Sequence, residues 1–241
     1  MFDQVNQKRK PSLFLILAIT GLAAVLTGFA RTFIIPVSSG TFKAPFSIYL
    51  HGAFAFSWIA LFVVQAFLIH VRRYKLHMTL GIVGIIIALG TAITMVPAGV
   101  FEVNKSLKNG AGEMAYSGIV GTCTSGILFL SFVLCAVYYR NRPDVHKRLM
   151  LLSTIIVLWP AWFRFRHFFP SVPRPDIWFG VVLADSLIII AWILDKIANG
   201  KIHRTLLWGG LIIIIENILE ILLFDSSPWR ATGKYIYHLV T

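Results

Sequence analysis

The sequence predicts an all-α integral membrane bundle with seven transmembrane helices, and composition, hydropathy and the length of the apolar runs predict it together. Of the 241 residues, 57% are hydrophobic and 13% are charged, and the charged share is about half that of an ordinary soluble domain. The mean hydropathy is +0.78. Apolar runs of about 20 residues, the length that crosses a bilayer, follow one another along the chain. A water-soluble fold is therefore excluded.

Seven apolar stretches account for nearly the whole chain and leave no room for a soluble domain. Each is bounded by charged residues, proline or glycine. In chain order they are Ser12–Ile35, Phe46–His70, His77–Ala98, Ala115–Tyr139, Leu149–Phe169, Ile177–Leu194 and Thr205–Phe224. We expect one transmembrane domain over residues 1–241, with a core at 46–169 and additional helices at 12–35, 177–194 and 205–224.

The boundaries of these stretches also predict the orientation of the chain. Lys8, Arg9 and Lys10 precede the first stretch, which is too long for the apolar region of a signal peptide and is followed by no small-residue cleavage site. Basic turns then separate the second stretch from the third, the fourth from the fifth and the sixth from the seventh. Because basic residues accumulate on the cytoplasmic side of membrane proteins, we expect the N-terminus inside and the C-terminus outside. A bacterial inner membrane is the expected location.

The second to fifth stretches contain a short internal similarity. A shift of 69 residues aligns Arg73-x-x-Leu76-His77-x-x-Leu80 with Arg142-x-x-Val145-His146-x-x-Leu149, which is what a duplicated helical hairpin would produce. The fourth stretch also carries two rows of small residues, Ser117/Gly121/Ser125 and Gly118/Thr122/Gly126. Small rows let helix backbones approach closely. They predict a central position for the fourth helix.

Two histidines, His77 and His146, lie at the predicted cytoplasmic ends of the third and fifth helices. A haem iron held by two imidazoles needs one histidine from each of two facing helices at matched depth, with apolar surroundings. His77 and His146 meet the depth condition. In the alternative interpretation both side chains lie at the membrane interface, beside arginine and lysine, and contact water or lipid phosphate.

At these residues the sequence resembles the cytochrome b561 class, di-haem membrane proteins in which four consecutive helices each contribute a haem-ligating histidine. The resemblance covers about 46–169 and includes His51-Gly-Ala-Phe-x-x-Ser-Trp58, Gln65, Leu76-His77-Met-x-Leu-Gly81 and His146-Lys-Arg-Leu-Met150. The same signatures are similar to those of a group of uncharacterised bacterial multi-pass proteins. The b561 resemblance implies transmembrane electron transfer through one haem b bound by His77 and His146. His51 has no partner, because position 120, its equivalent on the fourth helix, is valine.

A second group of polar residues is predicted near the outer side of the membrane. Charged residues within a membrane are costly and tend to turn inward and pair. The group comprises Arg31, His51, Arg164, Arg166, His167, Asp185, Glu216 and Glu220. Two interpretations stay open. Arginine–carboxylate pairs could hold helices together, or a pocket could bind an anionic or quinone-like ligand or relay protons, with Glu216 and Glu220 as the proton carriers.

The remaining patterns exclude several classes of protein. The net charge of +12 does not indicate nucleic acid, since the basic residues lie between apolar runs and not on one exposed face. Phosphate-binding loops, dinucleotide fingerprints, zinc-protease motifs and Cys-x-x-Cys pairs do not occur in the sequence. The lipid bilayer is the expected partner, together with a quinone, another small ligand or a membrane protein. The alternative to electron transfer is a non-enzymatic membrane subunit or ligand carrier that uses the outer pocket.

Overall fold

A computed structural model describes residues 12–241, and this part of the chain is helical, without strands. Seven of its helices are long and apolar enough to cross a membrane, which confirms the predicted fold class. They are α1 (Leu13–Ser38), α2 (Phe46–His70), α3 (Tyr74–Lys108), α4 (Gly112–Tyr138), α5 (Pro143–His167), α6 (Pro175–Asn199) and α7 (Arg204–Leu223). A shorter helix, α8 (Ser227–Val240), follows them.

The observed helix bounds differ most from prediction at α3 and α5. The bounds of α2 agree with the predicted span, but α3 continues beyond Ala98 to Lys108 with Pro97 inside it. The helix α5 begins at Pro143, well before Leu149, because proline is well accommodated in the first helical turn, where its missing N–H is not needed. Both helices therefore extend through polar sequence that a hydropathy criterion excludes.

The central helix of the bundle is α5. It contacts α1, α2, α4, α6 and α7, and 61% of its most apolar 18-residue window is buried, against 33% for α4. The prediction that the fourth helix is central is therefore wrong. A Cβ added at Gly121 would overlap the Glu220 carboxyl group of α7. Gly121 thus makes room for the Glu220 side chain. A row of small residues alone does not identify the central helix of a bundle.

Helices α2 to α5 form a closed group of four. Contacts run from α2 to α3, to α4, to α5 and back to α2, so α3 and α5 lie diagonally across the group. Trp58 and Phe129 fill its middle, with ring centroids 5.0 Å apart. We call the end at which α3, α5 and α7 begin the basic end, because the turns with the basic residues lie there, and the other the opposite end.

The same backbone arrangement begins α3 and α5. The His77 amide donates to the Arg73 carbonyl at 3.0 Å, and the His146 amide donates to the Arg142 carbonyl at 2.9 Å. His77 and His146 are therefore the fourth residues of their helices. The 69-residue offset seen in the sequence thus recurs in the starts of the two helices.

The helix α8 is amphipathic and was not predicted. It begins where the Ser226 hydroxyl accepts from the Trp229 amide. It packs across the start of α4, where a Cβ at Gly233 would overlap the Tyr116 carbonyl. It also contacts the end of α3, where the Tyr237 hydroxyl donates to Asn104 at 2.7 Å. With 14 residues it is too short to span a bilayer, which needs about 20, and it lies at the opposite end of the bundle.

Candidate functional site

The structure brings His77 and His146 together at the basic end of α3 and α5. Their ring centroids are 6.4 Å apart, and the ring planes are nearly perpendicular, at 89°. Two imidazoles that bind one metal ion from opposite sides have centroids about 6 Å apart when the metal–nitrogen bonds are about 2.0–2.1 Å. The observed separation matches this value, and it also lies within the range of about 4.5–7 Å in which aromatic rings pack edge to face.

All four helices of the closed group meet at this histidine pair. The Gln65 amide nitrogen of α2 donates to the His77 carbonyl at 3.1 Å. His146 Nδ1 lies 2.8 Å from the Ala136 carbonyl of α4. A carbonyl can only accept, so Nδ1 carries the hydrogen and the Nε2 lone pair of His146 is left free. A carbonyl partner for the second ring nitrogen is the usual arrangement behind a metal-bound histidine.

His77 has a buried ring nitrogen without a partner. Its Nδ1 atom is buried and makes no hydrogen bond to any residue of the range 12–241. Such atoms are uncommon, because an unpaired buried polar group costs about 1–3 kcal/mol. Above His77 on the same face of α3 lie Gly81 and Gly84. A Cβ at Gly81 would have its nearest neighbour, the Gln65 amide nitrogen, at 4.0 Å, whereas a Cβ at Gly84 would meet Leu61 Cδ2 at 3.3 Å. Within the described chain there is therefore free space beside Gly81, and the face is packed from Gly84 onward.

His51 is separate from this pair. Its Nδ1 lies 3.0 Å from the Thr94 hydroxyl of α3, and Thr94 also donates to the Gly90 carbonyl at 2.6 Å. Position 120 on α4 is a buried valine. His51 therefore links α2 to α3 near the opposite end of the bundle, through a hydrogen bond between its Nδ1 atom and the Thr94 hydroxyl.

The outer arginines bind carbonyl groups and aromatic rings. Arg31 donates to the His167 carbonyl at 2.9 Å. Arg164 donates to Thr32 at 3.2 Å and to the Pro160 carbonyl at 2.7 Å, and its guanidinium lies 4.2 Å from the centre of the Phe29 ring. Arg166 donates to the Phe163 carbonyl at 2.9 Å. These contacts fasten the end of α1 to the end of α5.

The three carboxylates of the predicted outer pocket lie elsewhere, between α4, α6 and α7. Glu216 accepts from the Thr124 hydroxyl at 2.6 Å and from the Ser125 hydroxyl at 3.3 Å. Asp185 accepts from the Asn217 amide at 2.7 Å. Among residues 12–241, none of Asp185, Glu216 and Glu220 forms a salt bridge. The expected arginine–carboxylate pairs are therefore not formed, and the predicted pocket divides into two clusters.

The buried ion pair that the structure does contain was not predicted. Arg148 of α5 donates to Asp195 of α6, with 4% and 3% of these residues exposed. Both lie near the basic end of their helices. The sequence signal for this ion pair was depth. A cation and an anion on two helices at the same depth in a membrane are expected to pair.

No other combination of ligands suggests a metal site in the part of the chain that the structure describes, since groups of three or more histidine, cysteine, aspartate or glutamate residues in metal-binding proximity are absent there. Comparison of the chain with protein families, curated proteins and solved structures found no match. The functional argument therefore rests on the residues themselves.

Proposed function

We propose that the protein is a b561-like electron-transfer protein of the bacterial inner membrane that binds one haem b through His77 and His146. The observation that carries the proposal is the 6.4 Å separation of the two imidazole rings. It supports the proposal because the two residues come from diagonal helices of a four-helix group, which is where a bundle holds a ligand between facing side chains. A bound haem would supply a centre that accepts and releases one electron.

The surrounding residues have separate parts in holding such a group. The Ala136 carbonyl would orient the His146 ring through Nδ1 and leave Nε2 free to bind the group. Gln65 fixes the backbone at His77. A Cβ at Gly81 would have no neighbour among residues 12–241 nearer than 4.0 Å, which leaves space beside α3 one turn beyond His77. His51 is not needed in this scheme, since Thr94 occupies its ring nitrogen.

The alternative function, a ligand carrier or membrane subunit with an outer arginine–carboxylate pocket, has less support. Its central contact would be between Arg164 or Arg166 and a carboxylate, but these arginines donate to the carbonyls of Pro160 and Phe163. A quinone or another apolar electron partner remains compatible with the aromatic residues around Arg164.

The test is the absorption spectrum of the detergent-purified protein after expression with added haem precursor. We expect a Soret band that shifts on reduction by dithionite and is lost in His77→Ala and in His146→Ala. The matched control is His70→Ala, which removes a histidine from the same end of the bundle and should leave the band unchanged. A folded protein without a Soret band, or a band that survives both substitutions, would exclude the haem proposal.

A further inference from the structure

We propose that Glu216, Glu220 and Asp185 form a proton-binding site inside the membrane, open to the opposite end of the bundle and closed to the basic end. The site is independent of the histidine pair, from which it is separated along the bundle, and does not require a haem. Its residues exchange protons with the medium on that side through a polar row between α4 and α7.

The polar row follows one face of α4. Residues 117, 121, 124 and 125 share that face, since positions three and four apart are neighbours on a helix. Glu216 accepts from the hydroxyls of Thr124 and Ser125. One turn nearer the end of α7, the Glu220 carboxyl lies against Gly121, where any side chain would overlap it. The small row of α4 and the acidic pair of α7 are therefore one structural unit.

Two buried polar atoms show that this unit has unused hydrogen-bonding capacity. Ser117 is fully buried, and its hydroxyl has no partner within residues 12–241. Asp185 is 5% exposed, and its Oδ2 atom likewise lacks a partner in the described chain, although Oδ1 accepts from Asn217. Buried polar atoms nearly always find partners. The Ser117 hydroxyl and the Asp185 Oδ2 atom therefore leave capacity for further hydrogen bonds, to water or to a transferred proton, beside the two glutamates.

The charges around the row explain why the carboxyl groups suit proton binding. Three cations at the opposite end of the bundle are occupied by other groups. Arg164 donates to Thr32 and Pro160, Lys234 donates to Glu113, and Arg230 donates to Asp225. Cys123 of α4 packs against the separate apolar cluster of Val103, Ala115 and Ile119.

The facing titratable groups are therefore Asp185 from α6 and the two glutamates of α7. Acidic side chains inside a membrane commonly belong to proton-transfer paths, and these three have no cationic partner in the described part of the chain. An uncharged carboxyl group can also donate to its neighbours, which a carboxylate cannot do.

The depth of the residues determines which side supplies the protons. At a rise of about 1.5 Å per residue, Glu220 lies about 5 Å from the end of α7 and Glu216 about 10 Å. Towards the basic end, residues 206–215 of α7 are leucine, isoleucine, tryptophan or glycine. The corresponding part of α6 contains the buried Ile188 and Ala191. The row therefore ends about 10 Å inside α7 and does not reach the basic end of that helix.

The test uses dicyclohexylcarbodiimide, an apolar reagent for protonated carboxyl groups. The carboxyl O–H adds across one C=N bond of the reagent, the proton moves to nitrogen, and the acyl group migrates to give a stable N-acylurea. We expect mass spectrometry of the labelled protein to find the adduct on Glu220 or Glu216. Glu102 and Glu113 are the matched controls, with side chains 60% and 66% exposed, and should remain unlabelled.

Sidedness is tested in spheroplasts and in inverted vesicles of the expression host, with the pH of the medium varied and that of the interior held constant. Labelling should fall as the medium becomes alkaline in spheroplasts and should not respond to the medium in inverted vesicles. Glu220→Gln, or the double replacement with Glu216→Gln, should abolish labelling while Glu113→Gln leaves it unchanged. Absence of an adduct on both glutamates of the folded wild-type protein would overturn the proposal, as would labelling that follows the pH at the basic end.

Discussion

Two buried polar clusters join α6 to its neighbours, and they differ in how their charges are paired. In the first, Arg148 donates to Asp195 and, at 2.7 Å, to the Asp144 carbonyl. Asp195 also accepts from the Asn199 amide and from the His203 backbone amide, both at 2.8 Å. Only Arg148 Nε lacks a partner in this cluster, as far as the described residues show. The cation and the anion are therefore both compensated.

The second cluster, Asp185 with Glu216 and Glu220, contains acids and hydroxyl groups without a cation. Its contacts are those of single hydrogen bonds from Thr124, Ser125 and Asn217. The difference shows that burial alone does not indicate the role of an intramembrane acid. A carboxylate that is fully paired holds helices together, whereas an acid whose neighbours are neutral can change its protonation state without losing an ion pair.

The largest expected effect comes from breaking the paired cluster. Replacement of Arg148 by alanine leaves the Asp195 charge buried without its partner, and we expect the free energy of unfolding to fall by about 3–5 kcal/mol. The measurement is unfolding of the purified protein by denaturing detergent, followed by circular dichroism. Arg174→Ala is the control, because the Arg174–Asp176 pair is exposed and its loss should cause no resolvable shift. Equal shifts for the two variants would contradict a structural role for Arg148.

An intermediate effect is expected from filling the space that Glu220 occupies. In Gly121→Ala the new methyl group overlaps the Glu220 carboxyl, and overpacking of this kind costs about 1–3 kcal/mol. The cost should largely vanish when Glu220 is also replaced by alanine, since the two groups compete for one space. A double-mutant cycle on detergent unfolding measures this coupling. Additive effects would show that Gly121 serves helix approach and not the carboxyl group.

The contrast between the clusters also explains which parts of the molecule could be predicted from the sequence. Apolar length and basic turns were sufficient for the seven helices. The proximity of His77 and His146 followed from their matched depth in two similar hairpins. Depth is a single coordinate, however, and the direction in which a side chain points around its helix depends on the order of helices in the bundle. Arg164 and Glu216 were therefore expected to meet, although they face different neighbours.

The same limitation applies to the two features that the sequence did not predict. Arg148 and Asp195 lie near helix ends, so their burial could not be read from hydropathy. The helix α8 is amphipathic, and its polar face lowers the mean hydropathy below that of a membrane span. Its position depends on Gly233 and Tyr237, which contact α4 and the end of α3. These contacts join distant parts of the chain and have no local pattern.

A smaller effect is expected from conservative changes in the unpaired cluster. Glu220→Gln keeps the shape of the side chain and removes no ion pair, so the free energy of unfolding should change by no more than about 1 kcal/mol, the scale of a single hydrogen bond. The comparison with Arg148→Ala in the same detergent titration gives the test. A loss as large as that of Arg148→Ala would mean that the second cluster is structural after all.

The smallest effect is expected at a polar contact that is exposed to solvent. Lys234 of α8 donates to Glu113 at 2.9 Å, and this hydrogen bond and the carboxylate charge raise the pKa of Lys234 above its ordinary value. A raised lysine pKa stabilises the folded state below the ordinary lysine pKa, and the contribution is lost as the pH rises through the raised value. Because both side chains are solvated, Lys234→Gln should leave the unfolding midpoint unchanged at neutral pH. A resolvable shift would show that the docking of α8 depends on this contact rather than on Gly233 and Tyr237.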